Sequence, residues 1–261
     1  MVTVFREDAL ADRVALITGG GSGICRGIAR AFLGHGASAA IVGRKADRLQ
    51  ATAEALGADR CLPTAADVRD PEAVERAVDA TLERFGRLDI VVNGAAGNFL
   101  SPAAQLSYNG FRTVMEIDTI GTWNVSRACF DKALSSSGGS IINISATLHY
   151  GATPLQSHAA AAKAAVDSLT RSLALEWGSL GIRVNGIAPG PIDETEGVAR
   201  LVPPDMKSSM EAAIPLGRFG RIEEIASVAV FLASDAASLL SGATLVADGG
   251  AWLAGRSLGL L

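Results

Sequence analysis

The chain has few cysteines, no excess of positive charge and no long apolar run. Its three cysteines, Cys25, Cys61 and Cys129, are odd in number and lack the spacing of metal ligands, which favours a reducing compartment over a disulfide framework. A net charge of -4 leaves no basic stripe for nucleic acid. No apolar run approaches the ~20 residues that a membrane-spanning helix needs. We therefore expect neither a nucleic-acid partner nor a membrane segment.

Neither end of the sequence carries a targeting signal that we recognise. No charged-then-apolar segment opens the chain. The last residues, Leu258 to Leu261, do not match the peroxisomal tripeptide signal. We therefore expect a cytoplasmic location.

Length and patterning favour a single α/β domain over residues 1–261. With 49% apolar residues, the chain can bury a large core. Predicted strands alternate with predicted helices along the whole sequence. The first strand, Val14 to Ile17, is a continuous apolar run, which is typical of a parallel sheet that is covered on both faces.

A glycine-rich stretch, Thr18 to Cys25, follows the first strand and precedes a helix that we predict from Arg26 to His35. In this order of strand, loop and helix, glycines let the backbone approach a pyrophosphate at the helix N-terminus. The spacing matches T-G-x-x-x-G-x-G except at its last position, where Cys25 stands, and a plain flexible loop is the alternative. The residues expected to line a dinucleotide are Gly19, Ser22, Gly23 and Ile24.

The second predicted strand, Ala39 to Val42, ends in an arginine, Arg44. A carboxylate at this position would bind a ribose 2′-hydroxyl, whereas an arginine pairs with a 2′-phosphate. The sequence therefore predicts NADPH as the cofactor, with Arg44 and then Arg26 as phosphate partners. A solvated arginine is the alternative for each.

Two further strands end in residues that we expect near the cofactor, because ligands of open α/β sheets bind at the carboxyl ends of the strands. Asp67 and Val68 follow the third strand, and Asp67 is predicted to meet the adenine. Asn93 and Ala95 lie in the small-residue turn after the fourth strand, where a cofactor can pass close to backbone, although any turn needs such residues.

The helix that we predict from about Ser107 to Leu134 carries an acidic residue, Asp118, in its apolar stripe. A carboxylate on an apolar face must be paired, hydrogen-bonded or shifted in pKa. Asp118 is therefore a candidate functional residue.

The stretch from Leu155 to Gly178 is the second long predicted helix, and its first half consists largely of alanine around Lys163. Its apolar stripe continues through Val166, Leu169, Leu173 and Trp177. Small residues indicate that another element packs close by, which makes Lys163 a candidate for a positioned cation. A surface pair of Lys163 with Asp167, one turn later, is the alternative.

Taken together, several ordered motifs resemble the short-chain dehydrogenase/reductase superfamily from about Asp12 to Trp252. These are TGGGSGI (18–24), NGAAG (93–97), the Lys163 helix, RVNGIAPGPI (183–192) and VADGGAW (246–252). The resemblance implies a Rossmann-type, doubly wound parallel sheet of seven strands, a nicotinamide dinucleotide cofactor and a homotetramer. It implies cofactor contacts from Lys163, Pro189, Gly190 and Ile192. Residues 190–215, rich in proline and methionine, are predicted to form a mobile lid.

The chain departs from the common pattern of this superfamily at the catalytic positions. The usual tyrosine and serine are replaced by Ala159 and Ala146, and the usual asparagine of the preceding long helix by Asp118. The lysine that holds the nicotinamide ribose is retained as Lys163. Without the tyrosine and serine, the ordinary alcohol/ketone mechanism is excluded.

One branch shares these changes, and the chain is similar to peroxisomal-type 2,4-dienoyl-CoA reductases. The similarity includes AAGNFL (95–100), TVMEIDTIGTWNVSR (113–127), HAAAAKAAVD (158–167) and VADGGAWL (246–253). It implies that Asp118 and Lys163 are catalytic in the reduction of a fatty dienoyl-CoA by NADPH. Hydride reaches C5, and a water that Asp118 orients protonates C2 to give a 3-enoyl-CoA.

Two other functions stay open at this point. The chain could be another reductase of the superfamily, acting on an enoyl-CoA or a ketone, with Tyr150 or His158 as the acid. It could also be a dinucleotide-binding sensor or scaffold without catalysis, a reading that Cys25 and the two alanines favour. Asp118 and Lys163 favour the dienoyl-CoA reductase.

Overall fold

The computed structural model describes residues 4–254, in which seven strands form one parallel sheet in the order β3-β2-β1-β4-β5-β6-β7. The C-terminal residues Leu258 to Leu261 lie outside this described part. The sheet confirms the predicted doubly wound α/β fold. Its strands are β1 Val14–Thr18, β2 Ser38–Gly43, β3 Cys61–Ala65, β4 Ile90–Asn93, β5 Gly139–Ile144, β6 Ile182–Pro189 and β7 Thr244–Ala247.

Helices connect the strands and cover both faces of the sheet. The longest helical stretch, α4 (108–137), is continuous and contains two π-helical turns, Glu116–Ile120 and Phe130–Leu134. The others are α1 Gly23–Gly34, α2 Ala46–Leu56, α3 Pro71–Phe85, α5 Ser157–Trp177, α6 Glu196–Leu201, α7 Lys207–Ala212, α8 Ile222–Ala233 and α9 Ala251–Ala254.

Several predicted boundaries are wrong by a few residues. Helix α1 begins at Gly23 instead of Arg26, because Ser22 is extended and the helical turn starts directly after it. The sequence pattern predicts the third strand from Arg60 to Pro63, whereas strand β3 runs from Cys61 to Ala65. It lies at the edge of the sheet, where a proline in the strand is tolerated.

The core consists of two apolar layers, one on each face of the sheet. On one face α1 and α8 bury Phe32 and Val230, and on the other α4 and α5 bury Leu134 and Trp177. Every residue of β1 is buried, which explains its unbroken apolar sequence. Burial of each large side chain stabilises the fold by ~1.5–3 kcal/mol.

The order of the strands places a crevice at the carboxyl ends of β1 and β4. Chain order reverses there, since β2 and β3 lie on one side of β1 and β4 to β7 on the other. Ligands of open α/β sheets bind at such a switch point. The crevice brings together the glycine loop after β1, the turn after β4 and the start of the segment after β5.

The described residues carry few features that would suggest other classes of protein. Among the helices within residues 4–254, none combines the length and apolar character needed to span a bilayer. The same residues contain no group of three or more His, Cys, Asp or Glu side chains placed to hold a metal ion. All three cysteines are buried and free, as their spacing predicts.

Candidate active site

Asp118 is a buried carboxylate beside the turn after β4. It lies in the first π-helical turn of α4 and is 1% exposed. The backbone N–H of Gly97 donates to its Oδ1 at 2.7 Å, and the Nζ of Lys163 lies 3.1 Å from its Oδ2. The structure thus confirms that this carboxylate is paired and hydrogen-bonded, and π-helical turns are frequent at functional sites.

Lys163 is a positioned cation, as predicted, because it is 8% exposed and bound on two sides. Its Nζ donates to the carbonyl oxygen of Ile144, at the end of β5, at 2.9 Å and pairs with Asp118. The alternative surface pair with Asp167 is wrong. The Asp167 carboxylate instead accepts hydrogen bonds from His149 at 3.0 Å and Tyr150 at 3.3 Å.

The position of the missing tyrosine is filled by apolar packing. Ala159 is buried in a small cluster with Val114 and Ala162, against which Met115 and Leu148 pack. The nearest tyrosine along the chain, Tyr150, donates its hydroxyl to Asp167. Burial, followed by the charge of Asp167, raises the pKa of Tyr150 to about 12. Its phenol therefore stays protonated near neutral pH and is oriented towards Asp167.

The glycine loop after β1 leaves room for a ligand at the start of α1. Gly19 has a φ of +71°, and a Cβ on it would lie 2.8 Å from the carbonyl oxygen of Gly94, so only glycine allows the two loops to meet. Ser22 precedes α1 in an extended conformation and makes no capping hydrogen bond, and the first turn has no acidic residue. Gly23 and Ile24 begin the helix, and their N–H groups are of the kind that binds phosphate.

Cys25 points into the contact between α1 and the sheet. Its side chain is buried, and a Cβ on Gly94 would clash with its Sγ. Burial raises the pKa of this thiol to about 12, with Lys163 opposing the shift. The thiol therefore fills space behind the glycine loop as a protonated group.

Arg44 and Arg26, the two predicted phosphate partners, are both exposed. Arg44 follows the end of β2, and Arg26 lies in the first turn of α1. Asp67 forms an ion pair with Arg69 at 2.6 Å. The hydrogen bond from Arg69 lowers the pKa of Asp67, and Arg44 contributes in the same direction. Arg44 and Asp67 therefore lie within electrostatic reach of each other.

The predicted adenine site corresponds to a surface cavity. Asp67 lines this cavity of about 470 Å³ together with Arg69, Asp70, Glu116 and Ile120. The side chain of Val68 is instead buried against Gly121 of α4, and the side chain of Asn124 donates to its carbonyl at 2.9 Å. Any contact of Val68 with a cofactor must therefore use its N–H group.

The turn after β4 also has side chains that serve the fold. The Nδ2 of Asn93 donates to Asn143 at 2.8 Å and to Ser126 at 2.9 Å, in the interior. The N–H of Ala95 donates to the hydroxyl of Thr18 at 3.1 Å. These hydrogen bonds hold the turn beside β1. The predicted contacts of Asn93 and Ala95 with a cofactor therefore depend on backbone groups that these hydrogen bonds do not use.

The segment after β6 covers the same edge of the sheet. Pro189 is the last residue of β6 and Gly190 follows it, and the N–H of Gly190 donates to the carbonyl oxygen of Ala247 at 3.2 Å. Ile192 is buried and bridges to Gly220. Residues 190–215 contain α6 and α7, and Asp193 pairs with Lys207 at 2.8 Å. Its mobility stays a prediction.

Three groups of this site were not predicted from the sequence. The N–H of Gly97 and the carbonyl of Ile144 are backbone groups, for which a sequence has no signal. Arg48 forms an ion pair with Glu196 of α6, and its aliphatic stem lies near Gly21 of the glycine loop. Arg48 stands in the first turn of α2, four residues after Arg44, and this nearness in the sequence is the signal that could have drawn attention to it.

Comparisons with known proteins agree with this geometry. The family model described as Enoyl-(Acyl carrier protein) reductase matches residues 19–251. The chain is 52% identical to the peroxisomal 2,4-dienoyl-CoA reductase, (3E)-enoyl-CoA-producing, of Danio rerio, over 96% of this chain and 85% of that protein. It is 50% identical to the protein of the same name from Arabidopsis thaliana, over 97% of this chain and 89% of that protein.

A solved structure shows the same fold. The crystal structure of a short chain dehydrogenase from Bacillus anthracis superposes with a TM-score of 0.86 at 40% sequence identity, and the match covers 93% of this chain and 97% of that one. The motifs that carry the sequence resemblance include the glycine loop and the helix of the buried Lys163. The seven-stranded parallel sheet is the fold that this resemblance implies. The chain therefore belongs to the short-chain dehydrogenase/reductase family.

Proposed function

We propose that this protein reduces 2,4-dienoyl-CoA thioesters to 3-enoyl-CoA with NADPH, in the degradation of unsaturated fatty acids. The observation that carries the proposal is the buried Asp118–Lys163 pair in a crevice that lacks the tyrosine and serine of ordinary ketoreductases. The curated relatives at 50–52% identity are named for this reaction.

The residues around the crevice fit a nicotinamide dinucleotide. Gly19 lets the loop after β1 approach the turn after β4, and α1 begins without an acidic residue or a side-chain cap. These features leave backbone N–H groups for a pyrophosphate. Bound there, the cofactor supplies a hydride to C5 of the dienoyl chain. Lys163 is held by Ile144 and Asp118, and we assign to it the contact with the nicotinamide ribose that the family resemblance implies.

The chain has two tasks once C5 is reduced, namely to stabilise negative charge on the thioester oxygen and to deliver a proton to C2. Among the described residues, Ile144 and Asp118 account for two of the three N–H donors of Lys163. The remaining donor is left for the nicotinamide ribose, and the positive charge of Lys163 stabilises a developing dienolate. Each oxygen of Asp118 retains a lone pair beyond its bond to Gly97 or Lys163, and this lone pair orients the water that protonates C2.

The choice of NADPH over NADH rests on arginine at the end of β2. Arg44 is exposed there and close enough to Asp67 to affect its pKa, so its guanidinium lies beside the predicted adenosine site. Arg26 lies on the first turn of α1, on the same edge of the sheet. Both are available for charge-assisted hydrogen bonds to a 2′-phosphate.

Assembly as a homotetramer and a cytoplasmic location are further proposals. The outer face of α4 exposes Phe111, Ile120 and Trp123, which supports packing of this helix against another subunit. Sedimentation of the full chain measures the assembly directly. For the location, the relatives from Danio rerio and Arabidopsis thaliana are named as peroxisomal. Microscopy of the tagged full chain with a peroxisomal marker decides between the two compartments.

The function is tested by following NADPH oxidation with 2,4-dienoyl-CoA, 2-enoyl-CoA and 3-oxoacyl-CoA side by side. We expect kcat/KM for the dienoyl thioester to exceed the other two by more than ~10²-fold, the scale of a positioned acid–base group. Faster turnover of 3-oxoacyl-CoA or 2-enoyl-CoA would identify another reductase of the family. Binding of NADPH without turnover of any of the three would identify a sensor or scaffold.

A further inference from the structure

An ion pair attaches the segment after β6 to the glycine-loop side of the crevice. The guanidinium of Arg48, in the first turn of α2, donates to a carboxylate oxygen of Glu196, the first residue of α6, at 2.5 Å. The stem of Arg48 crosses the glycine loop, because a Cβ on Gly21 would lie 3.4 Å from its Cγ and Cδ. Within residues 4–254, no other salt bridge joins residues 190–206 to α1, α2 or the glycine loop.

The start of α6 lies against the start of α1. A Cβ on Gly23 would lie 3.8 Å from the methyl carbon of Thr195, the residue that precedes α6. Thr195 is held by its own turn, since its hydroxyl accepts from the N–H of Val198 at 3.2 Å and donates to the carbonyl of Ile192 at 2.7 Å. A pyrophosphate on the N–H groups of Gly23 and Ile24 would therefore lie beside α6.

The residue before Thr195 has a strained backbone. Glu194 has a φ of +59°, in the left-handed region that residues other than glycine seldom adopt. The chain before it is fixed, because Ile192 is buried and the N–H of Asp193 donates to the carbonyl of Gly220 at 2.9 Å. Such strain persists only where surrounding contacts hold it, and it is found in switch regions. A rotation at Glu194 would relieve it and move α6 off the glycine loop once the ion pair breaks.

We propose that the ion pair between Arg48 and Glu196 is a latch that controls exchange of the dinucleotide cofactor, a role that rests on the cofactor of the proposed function. With the latch formed, α6 lies against the start of α1 and slows entry and release of the cofactor. When the latch breaks, α6 swings about Glu194 and opens the pyrophosphate site. The two side chains are 39% and 55% exposed, so the pair is weak enough to break and re-form readily.

The test measures association and dissociation rates of NADPH and of NADH by stopped-flow fluorescence, with no acyl-CoA present. Glu196→Gln removes the latch. Glu194→Gln is the matched control, because Glu194 lines the same surface cavity and forms no salt bridge within residues 4–254. We expect Glu196→Gln to raise the dissociation rates of both cofactors by ~2–5-fold, the range that an exposed ion pair gives. The association rates should rise with them, so that the affinities stay nearly constant, and Glu194→Gln should match the unmutated chain.

A second variant separates the latch from recognition of the 2′-phosphate. Arg48→Met keeps an unbranched stem over Gly21 and should raise the NADH rates as Glu196→Gln does, since NADH has no 2′-phosphate. The double variant should add nothing further, because both substitutions break the same pair.

The outcomes distinguish the latch from the proposed function. Unchanged NADH rates in Glu196→Gln overturn the latch alone. An equal rise in Glu194→Gln also overturns it, because the effect would then be one of general charge. If the unmutated chain binds neither cofactor, the cofactor assignment fails together with the latch. If it binds NADPH but does not reduce dienoyl-CoA, the proposed function fails, and the same binding rates still decide for or against the latch.

Discussion

At the scale of single residues, the proposed chemistry depends on two opposite charges that are buried together. Asp118 and Lys163 are each bound to a backbone group as well as to one another. Removing one partner of a buried pair leaves the other charge uncompensated, at a cost of ~3–5 kcal/mol in stability. Loss of activity in a variant must therefore be separated from loss of folding.

Asp118→Ala is expected to lower kcat with 2,4-dienoyl-CoA by ~10²–10⁴-fold, because it removes the group that orients the proton-donating water. Lys163→Ala should cost a comparable factor and should also weaken NADPH binding. Tyr150→Phe should cost less than about tenfold on the same scale, since the hydroxyl of Tyr150 is directed to Asp167. Steady-state kinetics of the three purified variants measure these losses.

The control for this series is the unfolding free energy of each variant in urea. The double variant Asp118→Asn with Lys163→Met removes both charges and should be more stable than Lys163→Met alone. A folded Asp118→Ala variant with near-normal kcat, together with an inactive Tyr150→Phe variant, would contradict the assignment of the catalytic pair.

Arg44→Ala should reduce the preference for NADPH over NADH. We expect the unmutated chain to bind NADPH more tightly by about 1.5–3 kcal/mol, the scale of hydrogen bonds to a charged group. The variant should lose most of this difference, while its NADH affinity stays the same. Calorimetric titration with both cofactors gives the two values, and equal affinities in the unmutated chain would refute the role of Arg44.

Prediction from the sequence succeeded for side chains whose own chemistry requires a partner, whatever their neighbours are. A carboxylate in the apolar stripe of α4 must have a partner, and Asp118 has two. The sequence did not predict that Lys163 is the partner of Asp118. Asp167 lies one turn from Lys163 on the same helix, whereas Asp118 lies on another helix. Backbone partners such as Gly97 and Ile144 depend on loop geometry that the sequence does not encode locally.

At the scale of secondary-structure elements, the approach of α1 to the sheet explains why the glycine loop tolerates Cys25. Its Sγ occupies the space beside Gly94, where a side chain on Gly94 would clash. The thiol thus belongs to the contact between helix and sheet, and the glycine loop in front of it is undisturbed.

Cys25→Gly is therefore expected to leave NADPH affinity unchanged or improved, and to lower the unfolding free energy by ~0.5–3 kcal/mol through lost packing. Gly94→Ala should be destabilising in the unmutated background and better tolerated when combined with Cys25→Gly, since the clashing Sγ is gone. Urea unfolding and NADPH titration of the three variants test both parts. Additive losses in the double variant, or a large loss of NADPH affinity in Cys25→Gly, would contradict this account.

The start of α8 is fastened by a bidentate ion pair between Arg218 and Glu224, with distances of 2.9 and 2.6 Å. The hydrogen bond from Arg218 lowers the pKa of Glu224 to about 2 from the ordinary 4.5. A depressed pKa contributes stability above the unfolded value and loses it as pH falls through the folded value.

Glu224→Gln should therefore destabilise the protein at pH 7, and the difference from the unmutated chain should shrink as pH falls from about 4.5 to about 2. The pair is partly exposed, which keeps the effect small. Glu223→Gln, in the same helical turn, is the matched control and should not reproduce this dependence. Urea unfolding at several pH values measures the difference, and a constant gap over this interval would argue against the pair.

The sequence pattern predicts helices over residues 46–56, 71–85 and 222–233, and α2, α3 and α8 have these bounds. For α3 the cap is visible in the structure, where Asp70 accepts from the N–H groups of Glu72 and Ala73. The π-helical turn at Glu116–Ile120 was not predicted. No residue preference in the sequence marks it.

At the scale of the whole molecule, the order of strands determines where chemistry takes place. Alternating strands and helices predicted an α/β domain, and the family resemblance implied the doubly wound sheet. The switch point of this sheet lies between β1 and β4, near the glycine loop, Asp118 and Lys163. The sequence did not predict which side chains face the crevice and which face the core. Asn93 and Val68 lie in predicted ligand-binding positions, yet their side chains make contacts in the protein interior.

The position of the transferred atoms in the product tests the central claim most directly. The unmutated chain is incubated with 2,4-dienoyl-CoA and NADPH deuterated at the transferred position, and separately with unlabelled NADPH in deuterated water, and the products are analysed by NMR and mass spectrometry. Our account predicts the cofactor deuterium at C5, the solvent deuterium at C2 and a double bond between C3 and C4. Cofactor deuterium at C3 with the C4–C5 double bond intact would contradict the account, as would the absence of any reduced product.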